Sequence, residues 1–265
     1  MTWNLFHGRD HPPDRALLTW RSRLLRVTEV GTAHAQVNRP LRGEFAALIA
    51  RLPWDVALLQ EVPPRWLRPL CEAAGASGAS VLTARNFPHL PRAAATWLNP
   101  DLIASNEGGS NQLLVRPPWR LVEVARETIA RRPERRRMLL ARLREPASGR
   151  DLAVANLHAS TGGRGDEVIA AAERAVAWAA GAPLVFGGDL NLRPEQGAAF
   201  DELERRLGLE GATGAEAIDH LLASGLEPRE RPRALVPARR EIPGPRGRAI
   251  RLSDHSPVVA AFEVE

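Results

Sequence analysis

Lysine and tyrosine are absent from this 265-residue chain, and cysteine occurs once. No uninterrupted apolar stretch approaches the roughly 18 residues of a membrane-spanning helix, so no membrane span is expected. Cys71 has no partner for an internal disulfide, and the opening Met1-Thr2-Trp3-Asn4 lacks the basic, apolar and small-residue succession of a secretory signal. The cytoplasm is therefore the expected location, an expectation that an upstream start carrying a signal would overturn. Nor is there a linker, an internal repeat or a glycine-rich phosphate loop after an early strand. One domain over residues 1–265 is expected, as a monomer by default, and 44% hydrophobic residues supply ample core.

Without lysine, all 36 basic residues are arginines, set against 31 acidic ones for a net charge of +5. They are unevenly placed. Residues 126–145 hold eight Arg and three Glu, a net +5, and residues 228–251 hold eight Arg and two Glu, a net +6; the remainder sums to −6. The planar guanidinium fork matches phosphate oxygens, so either segment could meet a polyanion, although loop arginines also serve solubility alone.

Hydrophobic periodicity and punctuation divide the chain into both kinds of element. Strands are expected at Thr2–Leu5, Asp55–Leu59, Asn111–Val115, Leu121–Ala125, Met138–Leu143 and Ile218–Leu222, and in the apolar runs Leu152–Ala155, Leu184–Phe186 and Ala249–Leu252. Helices are expected between Ala16 and Leu25, over Glu44–Leu52, between Asp166 and Ala180, and over Glu195–Leu207. Pro63-Pro64 and Pro117-Pro118 break the chain, Arg131–Arg137 reads as a turn, and the Pro- and Gly-rich Pro228–Gly247 reads as a long surface loop. Such alternation fits a mixed α/β sandwich better than a doubly wound sheet.

Several of the apolar runs end in polar clusters. Asp55–Leu59 runs into Gln60-Glu61, Leu152–Ala155 into Asn156-Leu157-His158, Leu184–Phe186 into Gly187-Gly188-Asp189-Leu190-Asn191, and Ala249–Leu252 into Ser253-Asp254-His255. Strands lying side by side bring their ends to one rim, and a rim of carboxylates, amides and imidazoles suits hard cations and phosphates. Each cluster also has a plainer use. Asp189 and Asn191 make Asx turns readily, Glu61 could be a solvated strand end, and Asn4 a strand-edge amide. His158 and His255 could be satisfied structural imidazoles, and Asp219 a turn residue that holds no imidazole.

Asn4, Gln60-Glu61, Asn156-Leu157-His158, Gly188-Asp189-Leu190-Asn191, Ile218-Asp219-His220 and Ser253-Asp254-His255 occur in the order and approximate spacing of the endonuclease/exonuclease/phosphatase superfamily. The chain resembles these deoxyribonuclease-like phosphohydrolases over almost its whole length. The resemblance implies an α+β fold, a four-layered α/β/β/α sandwich of two stacked mixed β-sheets flanked by helices. It implies Mg²⁺ or Mn²⁺ on Glu61, with Asn4 and Asp254 completing or adjoining the site. Asp189 would align and help deprotonate the attacking water, and Asn191 would hydrogen-bond a phosphate oxygen. His255, oriented by Asp219, would bind or protonate the phosphate, and His158 with Asn156 would clamp it from the other side. The absence of tyrosine departs from the abasic-site nucleases of the superfamily, and only three residues precede Asn4, which makes the first strand short. The implied activity is a divalent-metal-dependent phosphodiesterase or nuclease acting on a phosphate ester, with nucleic acid as a candidate partner through the two Arg-rich segments. The alternative is a phosphatase of a small phosphomonoester, inositol phosphate or phospholipid head group. A third reading, an inactive binding module, is opposed by the filling of every polar position.

Overall fold

The computed structural model describes residues 1–83, 109–132 and 135–264. Every candidate site residue lies among them, whereas the Pro133-Glu134 centre of the Arg131–Arg137 turn lies outside the described residues. A six-stranded sheet has the order β12 (Glu227–Ala234), β15 (Val258–Glu263), β1 (Thr2–Asn4), β4 (Val56–Val62), β6 (Ser110–Val115) and β5 (Ser77–Leu82). A five-stranded sheet has the order β11 (Asp219–Ser224), β10 (Leu184–Asp189), β9 (Asp151–His158), β8 (Arg136–Arg144) and β7 (Arg120–Ala130). Both are mixed: β1 and β4 are parallel in the first, β9 and β10 in the second. Two short ribbons, β2 (Glu29–Val30) with β3 (Ala35–Gln36) and β13 (Glu241–Pro243) with β14 (Ala249–Arg251), stand apart.

Strand alternation assigns side chains to layers. On β4, Ala57 and Leu59 face the helices α2 (Arg42–Arg51) and α3 (Leu67–Ala74), while Leu58 faces the other sheet. On β9, Ala153 and Ala155 face α4 (Gly165–Ala179) and α5 (Ala199–Leu207), while Leu152 and Val154 look inward. Three buried clusters therefore stack as helix on sheet, sheet on sheet and sheet on helix, the α/β/β/α layering that the resemblance implies. α4 presents Val168, Ala171, Ala172, Ala175 and Ala179, the i, i+3, i+4, i+7 stripe of a core-facing helix, and ends at left-handed Ala180 before Gly181.

Several expectations need correction. The helix expected between Ala16 and Leu25 is a 3₁₀ turn, Arg15–Leu17, followed by α1 (Trp20–Leu25), because the Thr19 hydroxyl caps a new start by accepting from the Ser22 backbone N–H at 3.0 Å. The Glu195–Leu207 helix begins at Ala199, after a separate 3₁₀ turn. Pro228–Gly247 is no long loop, since it contains most of β12 and all of β13. β12 is an edge strand in which Pro228 and Pro232 are tolerated, and its two register irregularities and exposed Arg229, Glu230, Arg231 and Arg233 protect that edge from further pairing. Such composition hides a strand from periodicity arguments. The structure adds α3, β5 and β15 to the elements expected from the sequence.

Candidate active site

Register brings the polar strand ends together. Asn4 lies opposite Gln60 across parallel β1 and β4, and His158 opposite Asp189 across parallel β9 and β10. β11 runs antiparallel and begins where β10 ends, which sets Asp219 opposite Asp189. Ser253, Asp254 and His255 lead into β15, whose Val258 pairs with Thr2, so they arrive at the same rim. Glu61 is the exception that needs a device. Straight alternation would turn it toward the helix layer with Leu59, but β4 is bulged between Leu59 and Val62, and Glu61 has a left-handed φ of 51°. The bulge turns its carboxylate to the rim.

Asp189 is the hub. Its Oδ2 accepts from Asn4 Nδ2 at 2.8 Å and lies 3.7 Å from His158 Nε2 and 4.0 Å from His255 Nε2; its Oδ1 accepts from the Asn191 backbone N–H at 3.1 Å. His255 Nδ1 is bound to Asp219 Oδ2 at 2.7 Å, leaving Nε2 toward the hub and 3.9 Å from Asp254 Oδ1. Asn191 donates from Nδ2 to the Ala159 carbonyl at 3.0 Å. Glu61 sits between two imidazoles, Oε2 3.2 Å from His7 Nε2 and Oε1 3.7 Å from His158 Nε2. Buried Ser253 ties the halves of the rim by donating to the Asn4 carbonyl at 2.7 Å and accepting from the His255 N–H at 3.1 Å.

Backbone strain concentrates here. His7, Glu61, Asn191 and Ser253 all have left-handed φ, between 49° and 61°, at a cost on the order of 1 kcal/mol each that the surrounding packing must hold. Gly188 has φ 137°, and a Cβ there would meet the Leu157 carbonyl oxygen at 1.8 Å, so only glycine lets Asp189 follow this path.

The imidazoles are pushed apart in charge. Burial would depress His255, but its hydrogen bond to Asp219 and the charges of Asp219, Asp189 and Asp254 outweigh this and raise its pKa to about 10. Burial lowers His158 to about 4 against the pull of Asp189, aided by the positive charge of buried Arg136, and burial lowers His7 to about 4 as well. At neutral pH the site holds one cationic imidazole and two neutral ones. Burial, and then the charges of Asp189 and Asp254, raise Glu61 to about 7, with the Asn4 amide acting in the other direction. A carboxylate made this costly by burial and by its negative neighbours is what a divalent cation would relieve, so the donor set around Glu61 fits one. Asp189, Asp219 and His255 also offer donor atoms within 4.8 Å of one another, a second set that could hold a cation.

Eight of the nine residues singled out in the sequence reach the rim. Asn156 does not, which corrects its expected role as a phosphate clamp. Fully buried, it donates from Nδ2 to the carbonyls of Leu59 and Gln112 in the opposite sheet, and its Oδ1 accepts from Gln60 Nε2 at 2.7 Å. Asn4 departs in part from its expected role as a ligand: Oδ1 accepts from the Phe6 backbone N–H at 2.9 Å and Nδ2 faces the carboxylates, so it works here as a donor. The sequence reading overlooked His7, Arg136 and Arg240. Arg240 lies buried under the rim and donates to the carbonyls of Leu252, Ser253 and Asp254, which braces the loop that carries His255. Its place in an Arg-rich segment concealed it, and the one available hint to His7 was its position three residues after Asn4.

The family model described as Endonuclease/Exonuclease/phosphatase family matches residues 1–255. No match is found among curated proteins. Among solved structures, an endonuclease/exonuclease/phosphatase from Bacteroides vulgatus is similar at 15% identity and a TM-score of 0.63, over 100% of this chain and 97% of that one. The mannosyl-6-phosphatase of Bacteroides thetaiotaomicron is similar at 16% identity and 0.60, over 84% and 91% of the two chains. TDP2 of D. rerio, complexed with single strand DNA product, is similar at 16% identity and 0.57, over 99% and 97%.

Proposed function

We propose, from the premise that this chain belongs to the endonuclease/exonuclease/phosphatase family, that it is a divalent-metal-dependent phosphodiesterase or nuclease, cleaving phosphate esters by in-line attack of water. The observation that carries the reading is the placement of Asp189 between neutral His158 and cationic His255, beside a Glu61 carboxylate that its neighbours disfavour as an anion. Asp189 holds and deprotonates the water, and Asn4 keeps that carboxylate aimed by donating to it. His255 Nε2–H neutralises a phosphoryl oxygen, with Asp219 fixing the ring and its charge. The second N–H of the Asn191 amide and the His158 ring supply further contacts to the phosphoryl group. Mg²⁺ or Mn²⁺ at Glu61, with Asn4 and Asp254 adjoining, would add charge stabilisation of the developing oxyanions.

Exposed Arg131, Arg132 and Arg135, next to Arg136 at the tip of the β7–β8 hairpin, support a nucleic-acid substrate. Other arginines of the two rich segments engage the protein itself: Arg144 pairs with Asp151, Arg229 with Glu263 and Arg251 with Glu241. The second reading, a small phosphomonoester, is favoured by a cleft of about 320 Å³ lined by Arg193, Asp219, Asp254 and His255, at the lower limit of small-molecule sites. A panel of plasmid, single-stranded oligonucleotide, phosphoinositide, sugar phosphate and bis-ester substrates, each with Mg²⁺, Mn²⁺ or chelator, separates them. Nuclease action requires cleavage that falls steeply with salt, with a log–log slope of about −0.9 per phosphate neutralised on duplex DNA. Turnover of soluble monoesters alone establishes the second reading, and hydrolysis unaffected by chelator or by Asp189→Asn rejects both.

A further inference from the structure

His7 carries chemistry that the reading above does not use. It belongs to a turn, Phe6-His7-Gly8, in which φ is 48°, 54° and 74° in succession, so two side-chain-bearing residues are held left-handed side by side. The turn is locked from behind, because a Cβ on Gly8 would meet the Trp66 ring at 2.2 Å. This conformation delivers His7 Nε2 to 3.2 Å from Glu61 Oε2, and Glu61 is itself turned to the rim by a left-handed bulge. Two independent distortions thus converge on one nitrogen–oxygen pair. The other ring nitrogen of His7 is buried without a hydrogen-bond partner among the described residues, so no second hydrogen bond accounts for the placement of the ring. About 3 Å is the separation of neighbouring donors on a divalent ion whose bonds are roughly 2.1 Å long.

We infer that His7 Nε2 and Glu61 together ligate the divalent ion, and that this nitrogen donor tunes the site toward Mn²⁺ over Mg²⁺. The inference rests on the metal-dependent reading above and sharpens it. Mg²⁺ keeps to oxygen donors, whereas imidazole raises the affinity of first-row transition ions. The measurement is direct binding of Mn²⁺, by electron paramagnetic resonance of the free ion, with Mg²⁺ in competition, and spin-echo nitrogen modulation on the Mn²⁺-loaded protein.

The parent protein is expected to prefer Mn²⁺ by at least about tenfold and to show imidazole nitrogen coupled to the ion. His7→Ala should narrow the preference by roughly tenfold and remove that coupling. His7→Asn, which tolerates the left-handed backbone and offers an oxygen, should retain binding with the preference shifted to Mg²⁺, and guards against a misfolded alanine variant. Glu61→Gln should lose both ions. If Glu61→Gln loses them while both His7 variants keep the parental preference and coupling, His7 is no ligand and this inference fails alone. Coupling that disappears in His158→Ala but persists in His7→Ala has the same meaning. If Glu61→Gln binds Mn²⁺ as the parent does, the metal reading itself fails.

Discussion

The two ends of the space between the sheets are built from the same strands and differ completely. At one end β4, β9, β10 and β11 present Glu61, His158, Asp189 and Asp219; at the other, residues of the same strands, Leu58, Val154, Val185 and Leu221, line a larger cavity of about 690 Å³. Both arginines that line that far cavity have partners within the protein. Arg116 stacks over Trp54 at 3.7 Å and donates to the carbonyls of Ala50, Leu52, Trp54 and Ala74, and Arg233 pairs with Glu230. The rim leaves an excess of carboxylates and one cationic imidazole facing a common point. Cavity size and unbalanced charge held by strain therefore point to opposite ends of this molecule, and the proposed chemistry goes with the charge.

The sharpest break of that comparison is Asp189→Asn, expected to lower kcat/KM by about two to three orders of magnitude with the fold retained in circular dichroism. His255→Ala should cost about two orders. Leu58→Ala at the far end should instead cost about 2–4 kcal/mol in denaturant unfolding and leave kcat/KM of the folded protein within about twofold. A hundredfold loss of activity there would dissolve the distinction between the ends.

Proton linkage gives subtler tests. His255 is raised from an ordinary 6.5 to about 10, so the stability it contributes is fully present below pH 6.5 and is lost as pH rises to about 10. Melting temperatures in chelator should fall over that window in the parent and fall less in His255→Gln. In rate measurements, Asp219→Asn should move the alkaline limb of the pH–rate profile to lower pH, because the hydrogen bond and charge that hold the proton on His255 are gone. The smallest effect is expected from Val185→Leu, which adds volume to the far cavity and should raise stability by about 0.5–1 kcal/mol with unchanged turnover.

Much of the rim was legible in the sequence, because strand ends inherit their place from the apolar runs before them. Asp189 and His158 needed only a parallel pairing in register to meet, and the runs Leu184–Phe186 and Leu152–Ala155 announce such strands. Features that depend on an irregular backbone were not legible. His7 requires a left-handed turn that no periodicity encodes, and Glu61 points to the rim through a bulge rather than through alternation. Asn156 misled for the opposite reason. Its spacing from His158 correctly puts both on the inward face, but one pleat deeper that face meets the other sheet instead of solvent. Arginine-rich composition likewise blurred three fates: Arg240 buried as a brace, Arg136 buried beside His158, and β12 laid down as an edge strand.

Asn156 has one more consequence. With two protons and its oxygen all engaged across the sheet interface, its amide rivets the layers at a fixed spacing just beneath Glu61 and Asp189. The halves of the proposed reaction centre that ride on opposite layers cannot breathe apart without breaking three interior bonds, so the ester of the proposed reaction would meet a jaw already set to width.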